Sequence, residues 1–332
     1  MELLFKTETS AGNTELKELL GFIDADLKIK NLKPDIITAT NDVIDLIGKE
    51  VYNYAVAKYK ESVPSTEGDA VIYATRYPVA VKAYLLYAPS NDLAHTNNGR
   101  KMRQDEGEKQ AFEWMIDRNN AELERRYYRA LDDLIKFLDN SKVETELTTT
   151  LYTIWTNSDA YKATQKLFIR TTKDFDDVFP INSRLLLIKL APALSDCERY
   201  EIIPRIGILK ATLLKAANNA DSPELDAADI ELIRLIKLAC VAYSFSWAMT
   251  RLSVQLYPEG VLQHYTSDRM TTRGAKPSLK TETQEAAQAW KGDFDRAILA
   301  IEKHVKPLPV PDIITEDDFR PNQCSDDLFF ST

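Results

Sequence analysis

The chain has 332 residues, of which 44% are hydrophobic and 28% charged, and its formal net charge at pH 7 is −9. This length suits about two domains, and the scarcity of glycine (10 residues) favours helices over architectures built on tight turns. The acidic balance argues against a protein that grips nucleic acid through a basic face. The three widely spaced cysteines, Cys197, Cys240 and Cys324, predict neither a disulfide framework nor a zinc site and fit a reducing compartment.

Three helices are predicted in the first part of the chain. Apolar residues recur every three or four positions over 34–60, which opens on Pro34, a residue suited to a first helical turn. A second helix is predicted over 69–87, with Pro78 expected to kink it. A third, over about 105–139, carries an apolar stripe in its later half and an acid-rich first turn that complements the helix dipole. A metal or acid/base site is the alternative reading of those acids.

Two long polar connections, 88–103 and 257–280, are predicted to lie at contacts with other subunits or partners, because structureless loops of this length are uncommon in compact domains. Each contains one histidine. A structural role for both histidines is preferred over catalysis, because no paired catalytic group is visible. The candidate interface residues in these loops are Pro89, Asn91, Asp92, His95, Arg100, Met102 and His264.

The second part of the chain also predicts helices. Two short ones, over 184–190 and 200–217, are interrupted by prolines, and a long apolar one starts at Ser222 and extends to about Leu256. A closing helix is predicted over 281–305. The most apolar window, Ala239–Met249, is too short to span a bilayer, and the N-terminus lacks the layout of a secretion signal.

The order of these signals occurs twice, which predicts a tandem duplication, although matching order alone can arise by chance in a helical protein. Each part has a long apolar helix that ends at a proline, a loop with a histidine and a methionine, and a closing helix with a tryptophan. The matched pairs are Pro89 and Pro258, His95 and His264, Met102 and Met270, and Trp114 and Trp290.

The expected fold is therefore mainly α, with two similar helical-bundle domains in tandem and an extended C-terminal arm. The domains are placed at 1–140 and 167–305, with a threonine-rich linker at 141–166, for which a short strand or helix is the alternative, and a proline-rich acidic arm at 306–332. The arm is too polar to fold alone, yet it ends in three large apolar residues. These are predicted to dock on a neighbouring subunit or partner, or alternatively on the arm's own domain: Leu328, Phe329 and Phe330.

No glycine-rich phosphate loop, metal-spaced His/Cys cluster or nucleophile–histidine signature is present in the sequence. The sequence therefore predicts a protein that is not an enzyme, has no cofactor and has no metal site. An enzyme with an unfamiliar active site is the alternative.

Four segments, Tyr77–Pro89, Gly99–Met102, Glu108–Trp114 and Tyr127–Leu134, resemble the head–tail connector (adaptor) proteins of tailed phages. The resemblance implies a structural virion protein: a subunit of a homo-oligomeric neck ring, typically a dodecamer, that joins the portal protein to the tail or a second neck protein. Genome DNA would pass through the lumen without sequence-specific binding, and an acidic wall is compatible with sliding DNA.

The same resemblance places the protein in the virion neck, and in the host cytoplasm during assembly, with no membrane partner. The alternative function is a helical scaffold or regulatory interaction protein with no role in the virion.

Overall fold

The computed structural model describes residues 1–23, 27–61, 66–97, 99–102, 111–141, 146–219, 225–251, 255–257, 260–262 and 280–306. These residues are mainly α-helical, as predicted. Within the described ranges, the strands form two short antiparallel hairpins and no larger sheet.

The first half of the molecule (residues 1–165) has helices and one hairpin in the following order: α1 (Ser10–Leu20), α2 (Ile29–Ile47), α3 (Lys49–Lys60), α4 (Thr66–Asn91), β1 (Leu93–Thr96), β2 (Gly99–Met102), α5 (Glu113–Asp139), α6 (Glu146–Thr156) and α7 (Asp159–Gln165).

The second half (residues 166–306) continues with α8 (Thr172–Asp176), α9 (Arg184–Asp196), a π-helical segment (Cys197–Ile202), α10 (Ile203–Ile206), α11 (Ile208–Asn219), α12 (Ala227–Arg251), β3 (Gln255–Tyr257), β4 (Gly260–Leu262) and α13 (Lys280–Val305). Both halves therefore place a short helix, a long helical stretch, a 12-residue helix, a long helix, a hairpin and another long helix in one order.

The helix predicted over 34–60 is in fact two helices, divided by Gly48. The backbone of Gly48 has φ 87° and ψ 151°, which residues with a Cβ rarely adopt. Its N–H donates to the carbonyl of Ile44 and closes α2. Pro34 does not start this helix, because α2 begins at Ile29; α4 likewise continues past Pro78.

Gly207 makes the corresponding break in the second half, with φ 83° and ψ 146°. Gly48 follows Pro34 by 14 positions, whereas Gly207 follows Pro192 by 15. The π-helical segment lies in this interval, and a π-turn is the usual way in which a helix absorbs one additional residue. The breaks predicted at Pro192 and Pro204 do not occur, and Gly207 ends the helical stretch instead.

Each half has its own apolar core. The first is formed mainly by α1 to α6 and the second by α8 to α13. The two closing helices contribute to their cores at the same spacing. The residues concerned are Leu131, Leu134, Ile135 and Leu138 in α5, and Phe294, Ala297, Ile298 and Ile301 in α13.

The segment predicted as the linker 141–166 contains α6, which contacts α3 and α5, and α7, which contacts α6 and also α9 of the second half. Trp155 of α6 is fully buried, and its indole Nε1 donates to Asp139 Oδ1 at 2.8 Å. Leu151 is also buried, one helical turn earlier. The run of threonines suggested a polar connection, but Leu151 and Trp155 share one helix face and bury it in the core.

Two of the residue pairs matched from sequence occupy different places. Pro89 lies in the last turn of α4, whereas Pro258 falls between β3 and β4 in the sequence. Trp114 is exposed at the start of α5, whereas Trp290 is half-buried in the second core. From the spacing of buried residues, Tyr127 is the counterpart of Trp290.

The helix α12 is longer than the apolar window identified in the sequence. Its 25 residues include a stretch with a mean hydropathy of 1.4, so by length and composition the whole helix could cross a membrane, unlike the shorter window Ala239–Met249. However, 61% of that stretch is buried inside the protein. Its packing against α9 and α13 is typical of the central helix of a bundle.

Candidate interaction surface

The end of α4 carries the first three candidate interface residues. Pro89 is exposed in the last turn, where it has no N–H to donate to the carbonyl four residues earlier, and the helix stops at Asn91. The hydroxyl of Tyr87 donates to Asn91 Oδ1 at 2.8 Å, and the N–H of Asp92 donates to the carbonyl of Ala88 at 3.1 Å. These two bonds fix the direction in which the chain leaves the helix.

The hairpin that follows holds the next three candidates. The strands β1 and β2 pair antiparallel, with His95 opposite Arg100 and Leu93 opposite Met102. Arg100 is exposed. A two-stranded hairpin is marginally stable alone and gains from packing against another element. The structure thus brings six of the sequence-predicted interface residues together, from Pro89 to Met102.

An exposed apolar cluster lies close to this hairpin along the chain. Phe112, Trp114 and Met115 are all exposed at the start of α5, although each is large and apolar. Consecutive exposed side chains of this kind mark interaction sites more often than isolated ones. The absence of an apolar stripe before Leu123 was the available sign that this end of α5 leaves the core.

The second half has a hairpin at the corresponding place. Gln255 lies opposite Leu262, and Tyr257 lies opposite Gly260. His264 follows β4 and lies outside the described residues, and so does the trio Leu328, Phe329 and Phe330. Because His95 is on the first strand of its hairpin, the two histidines do not hold equivalent positions in the chain order.

The buried ionisable groups of the second half form a compact polar cluster. Lys215 pairs with a carboxylate oxygen of Glu198, and the other oxygen accepts the backbone N–H of Phe168 at 2.5 Å. Burial raises the pKa of Glu198, and the hydrogen bond and charge of Lys215 offset only part of that effect. Cys197 and Cys240 are free thiols in the same core. Hydrogen bonding to Cys197 and burial raise the pKa of the Cys240 thiol, which makes it a poor nucleophile.

Two open grooves lie where the halves meet, with volumes of about 520 and 660 Å³. In the larger one, Arg184 is buried and its Nε donates to Asp139 Oδ2 at 2.9 Å. Among the described residues, no group of three or more His, Cys, Asp or Glu side chains has the arrangement of a metal site. The grooves therefore present paired charges, and the exposed hairpin end of the first half is the better candidate for a functional surface.

Residues 43–165 match the model of a family of unknown function, DUF6712. The matched region runs from the last part of α2 to the end of α7, so it includes the two helices that pack beyond α5. No curated protein and no solved structure matches the chain. The similarity to this family therefore lies within the first half of the chain, and it assigns no biochemical activity.

Proposed function

We propose that the chain is a structural subunit of the neck of a tailed phage, forming a head–tail connector ring between the portal protein and the tail. In this proposal the chain holds two copies of one helical unit, and its copies join side by side around a lumen that conducts genome DNA. The protein acts by assembly and not by catalysis.

The observation that carries the proposal is the exposed end of the first unit. There α4 leaves the core, the hairpin from Leu93 to Met102 follows it, and α5 returns with Phe112 and Trp114 exposed. A two-stranded hairpin followed in the chain by exposed aromatic side chains suits a contact with a neighbouring subunit, because both the marginally stable hairpin and the apolar surface gain from a partner. The resemblance of Tyr77–Pro89 and Gly99–Met102 to connector proteins falls on this same region.

The charge of the chain is compatible with this role. At −9 overall it would repel DNA weakly, and a conduit that bound phosphates through a basic wall would retard the passage of the genome. The alternative function, a helical scaffold or regulatory protein, does not require a ring. Ring formation therefore distinguishes between the two functions.

Negative-stain electron microscopy of the purified full-length protein tests the proposal directly. We expect closed rings with a central channel, and their mass gives the number of chains per ring. A second sample, with Phe112 and Trp114 both replaced by serine, is expected to give single subunits that keep their helical circular dichroism. A monodisperse monomer at high concentration that also fails to bind a portal ring would contradict the proposal.

A further inference from the structure

The short helix α11 exposes an apolar face that nothing in the described structure covers. Ile208, Leu209 and Leu213 are 66%, 79% and 70% exposed. Leu209 and Leu213 are four positions apart, so their side chains lie on one side of the helix. Three large aliphatic side chains on a 12-residue helix form a patch of the kind that normally contacts another segment.

The corresponding helix of the first half is covered. Like α11, α3 has 12 residues and starts directly after a glycine with positive φ. It is contacted by α6, the segment that follows the closing helix α5. Counting from the two glycines, Tyr54 holds the position of Leu213, and Tyr54 is partly buried against the first core. The first half therefore covers with α6 a helix that the second half leaves exposed.

The segment that follows the closing helix of the second half starts near α11. Glu302, in the last turn of α13, pairs with Arg205 at 2.8 Å, and Arg205 lies three positions before Ile208. From the spacing of buried residues, Glu302 corresponds to Asp139, the carboxylate that accepts the indole N–H of Trp155. The side chain of Glu302 is about half exposed.

We propose that the C-terminal segment 307–332 docks on the exposed face of α11 in its own chain, as α6 packs on α3. The segment has six acidic residues and one arginine, and it would lie close to Lys210, which pairs with Asp229 at 3.2 Å, and Lys215, which pairs with Glu198. Beyond the proline-rich stretch 307–311, its large apolar side chains, which would cover Ile208, Leu209 and Leu213, are Ile313, Ile314, Phe319, Leu328, Phe329 and Phe330. The inference does not depend on the connector role.

Length favours docking within one chain. A segment of 26 residues can extend over roughly 85 Å, whereas a 12-residue helix is about 18 Å long. Because the segment leaves α13 beside α10, it meets its own α11 at a much higher effective concentration than the α11 of another copy. Of the two sequence-based expectations for the arm, docking on a neighbour or on its own domain, this proposal adopts the second.

A cysteine cross-link tests the contact in the full-length protein. The segment contains Cys324, and Cys197 and Cys240 are buried and should not react. Ala216→Cys places a second thiol on the exposed part of α11, and Ala57→Cys places one at the corresponding exposed position of α3 as the matched control. With a short bismaleimide we expect an intramolecular product, of the mass of one chain, in the Ala216→Cys variant and little in the Ala57→Cys variant.

A third variant combines Ala216→Cys with serine at the six apolar positions of the segment 307–332. Its cross-linking rate is expected to fall roughly tenfold or more, because several large side chains lose their burial. Three results would overturn the proposal: equal rates at the two sites, a product with the mass of two chains, or an unchanged rate in the serine variant. Ring formation in the microscope is a separate readout, so either proposal can fail while the other stands.

Discussion

In each half, an ion pair connects the first helix to the long helix that precedes the hairpin. The two ion pairs lie at corresponding places but are formed by different residue types. In the first half, Arg76 of α4 pairs with Glu15 of α1 at 2.9 Å. The same carboxylate accepts the hydroxyl of Tyr59 at 2.7 Å and, more weakly, the backbone N–H of Lys6 at 3.3 Å. The guanidinium also lies 4.7 Å from the ring centre of Phe5, within range of a cation–π contact.

In the second half, Lys237 of α12 pairs with Asp174 of α8 at 2.8 Å. Asp174 also closes a capping box with Thr171 and accepts the backbone N–H of Arg170 at 3.2 Å. An arginine held by aromatic rings in one half is thus replaced by a lysine on a capping carboxylate in the other. Both halves have a cation on the long helix and an acid near their start. The two ion pairs therefore agree in position but not in residue type.

A second difference concerns what the halves bury at the middle of their long helical stretch. The first half buries Thr40, whose hydroxyl bonds the carbonyl of Ile36. Counted from Pro34 and Pro192, the corresponding residue in the second half is Glu198, which is buried with Lys215. A neutral hydroxyl can satisfy itself within its own helix, whereas a buried carboxylate needs a partner from another element. The second half should therefore depend more on a single polar contact.

The largest effect is expected where the first half has a covering helix. Replacing Trp155 with alanine should lower the free energy of unfolding by about 3–5 kcal/mol, because the change leaves a cavity and removes the bond to Asp139. Trp114→Ala is the matched control; in the dissociated subunit this exposed side chain should change stability by less than about 0.5 kcal/mol. Urea unfolding followed by circular dichroism measures both. Similar losses for the two variants would mean that α6 is not part of the first core.

The buried ion pair gives the next largest effect, and one that depends on pH. Lys215→Met should cost about 3 kcal/mol at pH 7, because it leaves Glu198 buried without its partner. The pKa of Glu198 is raised above 4.5 in the folded protein, so the folded state holds the proton more tightly. Its contribution to stability is therefore present below about pH 4.5 and declines as pH rises through the folded pKa.

Removing Lys215 should raise the pKa of Glu198 further. The stability lost in the Lys215→Met variant should therefore be larger at pH 7 than at pH 5. The paired change Glu198→Thr with Lys215→Val introduces the residues at the corresponding positions of the first half, Thr40 and Val56. It should be milder than Lys215→Met and should lose most of the pH dependence. Urea midpoints at the two pH values decide this, and equal losses at both would contradict it.

The smallest effect is expected at the ion pair between Lys237 and Asp174 in the second half. Burial raises the pKa of Asp174, but the hydrogen bond and charge of Lys237 and the bonds from Thr171 outweigh it, so the net pKa is lowered below 3.8. Asp174→Asn should cost about 1–2 kcal/mol at pH 7. Because the folded pKa is lowered, this stability is present above about pH 3.8 and lost as pH falls through the folded value.

The Asp174→Asn variant and the unchanged protein should therefore approach equal stability in acid. Thermal unfolding from pH 7 to pH 2.5 measures the convergence. A constant difference across that range would show that Asp174 acts through packing and not through its charge.

The sequence predicted the helical class and most long helices, because apolar spacing is strong where one face is buried, as in α5 from Leu123 onward. It located the polar end of α4 and the hairpin region, though not the pairing of His95 with Arg100, which depends on register. It missed the role of Gly48, since a glycine's φ leaves no trace in composition. It also read α6 as a linker, because the threonines masked the burial of Trp155, which only tertiary packing reveals.

The π-helical segment Cys197–Ile202 has a consequence for how such a chain can vary. One residue added to a regular α-helix rotates everything beyond it by about 100° and would turn a buried face outward. Here the wider turn takes up the additional residue, so Ile202 and Ile206 are buried as Val43 and Ile47 are in the first half. A change of length confined to one turn therefore leaves the packing beyond it undisturbed.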